Sequence, residues 1–138
     1  LGAKDRATNT ISAAITHGTD KAALHSFVTE RAAAGATVYT DDHAGYRGIP
    51  YKHETVKHSV SEYVRSQAHT NGIESFWALL KRGYHGTFHH ISEKHLHRYV
   101  NEFSTRYNLR PSDTLAMMSH TVAKMVGKRL TYSDLIAE

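Results

Sequence analysis

Two acidic positions in this sequence have the surroundings that metal chemistry needs. The first, Asp41, directly follows the β-rich run Ala-Thr-Val-Tyr-Thr at positions 36–40. A buried strand there would hold the carboxylate at the carboxyl end of a sheet, where open α/β sheets place their sites. Mg²⁺ is held by a few such oxygens together with water and phosphate. The alternative is a solvated turn acid or the N-cap of a short helix.

The second acid, Glu74, lies near the start of a predicted helix, in the string His-Thr-Asn-Gly-Ile-Glu-Ser-Phe-Trp at positions 69–77. Asn71 precedes it by three residues, so both side chains can face the same way. The alternative is a capping box, in which Glu74 only satisfies a backbone N–H group at the start of the helix.

The elements that must position these acids follow from hydrophobic periodicity and turn residues. The predicted strands cover residues 1–4, 10–16 and 36–40, with weaker extended pieces at 51–56 and 59–64. One helix is predicted from an N-cap at Thr19 to Gly35. Three later helices are predicted over residues 71–82, from Ser92 to just before Pro111, and over residues 112–126. Strands followed by a crossover and then helices predict a mixed α/β sheet with a helical C-terminal layer.

Composition limits the class of protein. The chain has 138 residues, enough for one domain, and a formal charge of +4 with twelve histidines. With no cysteine, it can hold neither a disulfide framework nor a thiolate zinc site. No apolar run is long enough to cross a bilayer, so we expect a cytoplasmic protein. The basic charge is compatible with a polyanionic partner but does not identify one.

Four stretches together carry a family resemblance. They are T-V-Y-T-D-D-H-A-G-Y at 37–46, H-T-N-G-I-E-S-F-W at 69–77, L-K-R-G-Y at 80–84, and H-H-I-S at 89–92 with R-Y-V-N-E-F at 98–103. They closely resemble bacterial insertion-sequence transposases of the DDE superfamily, in the branch with an extra Asn just before the third acid. The resemblance is strong from about residue 35 to residue 108, looser before that and thin after Pro111.

The resemblance implies an RNase H-like fold that cuts and joins DNA with two Mg²⁺ or Mn²⁺ ions held by two Asp and one Glu. By this resemblance Asp41 is the second acid and Glu74 the third, and Asn71 orients a ligand, water or phosphate. It also implies a homo-oligomer in the working complex, with DNA as its partner and no membrane.

Basic and aromatic residues near Glu74 have competing interpretations. Lys81, Arg82 and His69 are candidates for DNA contacts, although Lys81 and Arg82 are equally typical of a solvated helix end. Trp77 fits a core position better than a base-stacking one, because it shares a face with Ile73 and Leu80. The histidines at 85, 89, 90, 95 and 97 have a spacing that does not favour zinc.

One departure from the family pattern is the first Asp, which has no counterpart in this chain. Asp5 is the nearby acid, but it stands in a Lys-Asp-Arg turn. We therefore expect residues 1–110 to be a catalytic core without its first strand, with the missing Asp upstream of Leu1, and this chain to be inactive alone. Residues 111–138 are expected to extend the same domain. The alternatives are a non-catalytic DNA-binding or assembly module and a related metal-dependent nuclease.

Overall fold

The computed structural model describes residues 1–56 and 71–137. The chain divides into two compact units, Leu1–Asn108 and Leu109–Glu138. The first unit contains, in order, β1 (Gly2–Lys4), β2 (Ile11–Ala13), α1 (Lys21–Thr29), β3 (Thr37–Asp41), β4 (Lys52–Val56), α2 (Asn71–Gly83) and α3 (Leu96–Leu109, which ends one residue beyond the unit). This mixture of strands and helices confirms the predicted α/β class.

The four described strands form two separate pairs, where the sequence predicted one mixed sheet. Strands β1 and β2 are antiparallel, and β3 and β4 are parallel. The backbone of Leu1 bonds to Ala14 in both directions. Because bonded positions alternate along an antiparallel pair, Gly2 and Lys4 direct their N–H and C=O groups away from β2. The outer edge of β1 thus has no strand neighbour among the described residues.

Helix α1 is shorter than predicted. Its N-cap is Asp20, whose carboxylate accepts the N–H of Ala23 at 2.8 Å, so Thr19 is not the cap. The helix ends at Thr29 and not at Gly35, because a tight turn follows in which the Val28 carbonyl accepts two later N–H groups. The buried residues of α1 are Leu24, Phe27 and Val28, which recur at helical spacing along one face. Strand β2 is likewise shorter than the predicted residues 10–16.

The core of the first unit is centred on Phe76, which is 0% exposed. Its ring makes edge contacts with Trp77 and Tyr107, at centroid distances of 5.0 and 5.9 Å. Ile11 completes the buried cluster. Trp77, predicted as a core residue, is partly buried and packs against this cluster, while the buried face of α2 is centred on Phe76 and not on the predicted line of Ile73, Trp77 and Leu80.

Asn108 joins the end of α3 to β2. Its side-chain Oδ1 accepts the N–H of Ile11 at 2.7 Å, and its Nδ2 donates to the Ile11 carbonyl at 2.9 Å. The amide group therefore satisfies a buried backbone position in the way that a neighbouring strand would.

The second unit consists of α4 (Thr114–Met125) and α5 (Tyr132–Ile136). Helix α4 confirms the predicted third late helix, with Asp113 as its N-cap, and a turn at Gly127, where φ is +72°, follows it. Its apolar side chains at 115, 118, 122 and 125 are exposed. Helix α5 was not predicted. None of the helices in the described part of the chain combines the length and apolar character that a membrane span requires.

We expect Asn108→Ala to destabilise the first unit by about 1–3 kcal/mol, because it leaves a buried N–H and C=O without partners. Urea unfolding monitored by circular dichroism measures this change. Asn101→Ala is the matched control, since Asn101 is exposed on the same helix and its loss should cost little. Equal unfolding free energies for both variants would contradict the role of Asn108.

Candidate active site

An open cleft of about 1500 Å³ lies within the first unit. Residues of β1, α1, β3 and α2 line it, and Asp41 and Glu74 are both among them. The two predicted acids, 33 positions apart (74 − 41), therefore border the same space. This shared cleft is the arrangement that a joint role requires.

Asp41 is the last residue of β3, and its side chain is exposed. Just before it, Thr40 is buried, and its hydroxyl donates to the Asp41 carbonyl at 2.6 Å. The same hydroxyl lies 2.8 Å from Nε2 of His53 on β4. Because the hydroxyl has only one proton to donate, Nε2–H of His53 must be the donor to it. These bonds anchor the strand end from which the carboxylate projects.

A short helical turn at Ala44–Tyr46 follows Asp41 and returns Tyr46 to the same cleft. Gly45 permits this turn, because a Cβ there would lie 2.5 Å from Cδ1 of Leu24 on α1. Partial burial raises the pKa of Tyr46, and the Asp41 carboxylate raises it further. Tyr46 is thus an electrostatic neighbour of Asp41 that stays protonated at neutral pH.

Glu74 lies in the first turn of α2, with an exposed side chain on the cleft. Asn71 is exposed as the first residue of that helix and is not among the cleft-lining residues. The position before Asn71, where the cap of this helix would lie, is outside the described residues.

The predicted DNA-contacting residues lie elsewhere or outside the described chain. Lys81 and Arg82 are exposed in the last turn of α2 and do not line the cleft. Seven residues of helix place Lys81 about 10 Å along the axis from Glu74. His69 falls outside the described residues.

The donors of the cleft suit a hard cation, because Asp41 and Glu74 offer carboxylate oxygens. Over residues 1–56 and 71–137 there is no cluster of three or more His, Cys, Asp or Glu that could hold a metal ion. Asp5 also lines the cleft, but its carboxylate accepts backbone N–H groups from Ala7 and Thr8, and these bonds lower its pKa. Asp5 is thus engaged in its own turn by two backbone N–H groups, whereas the Asp41 carboxylate accepts one backbone N–H, from His43, at 3.3 Å.

Two cleft residues were missed by the sequence reasoning. Tyr46 ends the string D-D-H-A-G-Y, so its place in that motif was the available signal. No local sequence pattern indicated that Lys4 lines the cleft, because nothing near Lys4 shows which helix its strand packs against.

Comparison with known proteins gives one match. The family model described as ISXO2-like transposase domain matches residues 1–108. No curated protein matches the chain in sequence, and no solved structure matches it. The matched span coincides with the first compact unit, which contains the cleft.

We expect Asp41→Asn to lower the pKa of Tyr46, because the substitution removes a nearby negative charge that opposes ionisation of the phenol. The pKa should remain above the ordinary tyrosine value, since burial is the larger cause of its rise. Ultraviolet titration, with Tyr46→Phe used to identify the signal, measures the shift. The matched control is Asp42→Asn, which should change the pKa less. A Tyr46 pKa that is the same in both variants would refute the coupling.

Proposed function

The chain belongs to the ISXO2-like transposase domain family, and we propose that its first unit is a catalytic domain that cuts and joins DNA strands with divalent metal ions. The observation that carries the proposal is that Asp41 and Glu74 line one cleft. Both carboxylates are exposed, so metal and DNA phosphate can reach them.

The proposed fold is RNase H-like, with residues 1–110 as the core and 111–138 as a helical extension. Its first strand would lie in the cleft, between β1 and β3. Two features favour this location: both strands line the cleft, and Gly2 and Lys4 direct backbone groups away from β2, where no described strand pairs with them. An Asp on a strand seated there would border the same space as the other two acids. We propose that the first acid of the triad is an Asp on this strand.

In this proposal Asp41 and Glu74 hold Mg²⁺ or Mn²⁺, and Asn71 orients a ligand, water or phosphate beside them. With the third acid present, the three carboxylates would hold two ions, which would supply charge stabilisation for an in-line displacement at phosphorus. The fold positions the two carboxylates. The hydrogen bonds of Thr40 hold the end of β3, which carries Asp41, and the core packing of α2 orients Glu74.

DNA is the proposed partner, and a homo-oligomer is the proposed working form. The exposed cations Lys81 and Arg82 would bind phosphates further along the DNA, beyond the cleft. His69 is proposed as a third DNA contact.

Mn²⁺ binding to this chain tests the metal site without requiring activity. We expect Asp41→Asn and Glu74→Gln each to remove binding measured by titration calorimetry, because each takes away one of two carboxylates. Asn71→Ala should weaken it about tenfold to a hundredfold, as expected for a residue that orients a ligand. Asp42→Asn is the control, since Asp42 is an exposed acid next to Asp41 to which the proposal assigns no metal or ligand. Unchanged Mn²⁺ affinity in both carboxylate variants would refute the site.

An assay of DNA cutting and joining under Mg²⁺ tests the reaction. We expect this chain alone to produce neither cut nor joined DNA, because it supplies two of three acids. Joined ends would contradict the proposed location of the first acid. A form of the chain that includes the proposed strand should cut and join DNA. Cutting without joining by that form would indicate a related nuclease, and DNA binding without Mn²⁺ affinity would indicate a non-catalytic binding module.

A further inference from the structure

Gly72 occupies a position in the first turn of α2 where glycine has no conformational advantage. Its φ is not positive, in contrast to Gly35, Gly48 and Gly127. Glycine within a helix is less favourable than alanine by about 1 kcal/mol. The residue has a close neighbour: a Cβ at residue 72 would lie 2.5 Å from Cδ and 2.9 Å from Nζ of Lys4, so the Lys4 side chain would have to shift.

Lys4 reaches this position from β1, and its side chain crosses the first turn of α2. Its ammonium donates to the Tyr107 hydroxyl at 3.5 Å and lies 5.9 Å from the centroid of that ring. Lys4 also lines the cleft that Asp41 and Glu74 border. A positive charge therefore lines the same cleft as the two candidate metal ligands, and it is held against Tyr107 of α3.

The other cationic side chains of the cleft are already engaged. The Arg31 guanidinium donates to Ser12 and to the Phe27 carbonyl and forms an ion pair with Glu30 at 2.9 Å. The guanidinium of Arg6 stacks on the Tyr39 ring at 4.0 Å. No carboxylate in the described chain pairs with the Lys4 ammonium, which uses one donor on Tyr107 and keeps two for an anion.

We propose that Lys4 binds a phosphate of the DNA strand that enters the cleft, and that Gly72 leaves the space through which the Lys4 side chain reaches its place; a Cβ at residue 72 would make that side chain shift. The inference rests on the proposed function, since it assumes DNA in that cleft. It assigns a phosphate-binding residue outside the acidic motifs and gives a physical role to the glycine between Asn71 and Glu74.

The test is the salt dependence of binding of the whole chain to a duplex oligonucleotide, measured by fluorescence anisotropy in EDTA so that metal binding does not contribute. Lys4→Met should reduce the slope of log Kobs against log salt by about 0.9, the value for one phosphate contact. Lys21→Met is the control, because Lys21 is an exposed lysine that does not line the cleft. Its slope should equal that of the unsubstituted chain.

Gly72→Ala separates the position of the Lys4 ammonium from its charge. The substitution keeps the charge but puts a methyl group where the Lys4 side chain now lies. It should reduce the slope as Lys4→Met does, while thermal stability stays level or rises with the better helix former. In the variant that carries both Lys4→Met and Gly72→Ala, the two reductions in slope should not add. A merely structural role for Lys4 would change stability and leave the slope unchanged.

Three results would overturn the inference: an unchanged slope in Lys4→Met, an equal loss in Lys21→Met, or additive losses in the double variant. Any of these, together with Mn²⁺ binding that still depends on Asp41 and Glu74, refutes the role of Lys4 and leaves the proposed function standing. Loss of both DNA binding and carboxylate-dependent Mn²⁺ binding would refute the proposed function itself.

Discussion

The burial of Phe76 is the constraint on which the candidate site depends. The ring is closed off from solvent among Ile11 and Tyr107, so the rotation of α2 about its axis is fixed by core packing. Glu74 precedes Phe76 by two residues, which is about 200° around a helix. Glu74 therefore lies on the far side of the helix from the buried ring, and it lines the cleft. Any change that lets Phe76 leave its position would also misdirect Glu74.

Asp41 is positioned by a different kind of interaction. Its side chain has no core anchor, and its place is set by strand pairing with β4 and by the buried Thr40 that precedes it. One acid thus depends on hydrophobic packing and the other on backbone and side-chain hydrogen bonds. Both carboxylates remain exposed, so each keeps the solvent access that an ionised metal ligand needs. Lys4 adds an opposite charge from a third element, β1.

Local features of the fold could be predicted from the sequence, and long-range ones could not. The strand ending at Asp41 and the helix around Glu74 followed from nearby residue types, and both are present. The end of α1 was placed too late, because a tight turn after Thr29 precedes the glycine that looked like the stop. Each strand pair joins strands that are consecutive in the chain, but whether the two pairs share one sheet depends on contacts between segments more than twenty residues apart. The contact of Lys4 with the helix at Gly72 is also long-range, and no local pattern encodes it.

The side-chain amide of Asn108 has a consequence for how the hairpin can associate with other chains. Open strand edges invite further strands, and proteins protect them to avoid aggregation. At Ile11 the outward backbone groups of β2 are already occupied by a side chain from α3. Another polypeptide cannot add to β2 at that point without displacing this helix end. A further strand can therefore pair with the outer edge of β1 more readily than with β2. A substitution that removes the Asn108 amide would also expose the edge of β2 to pairing with another chain.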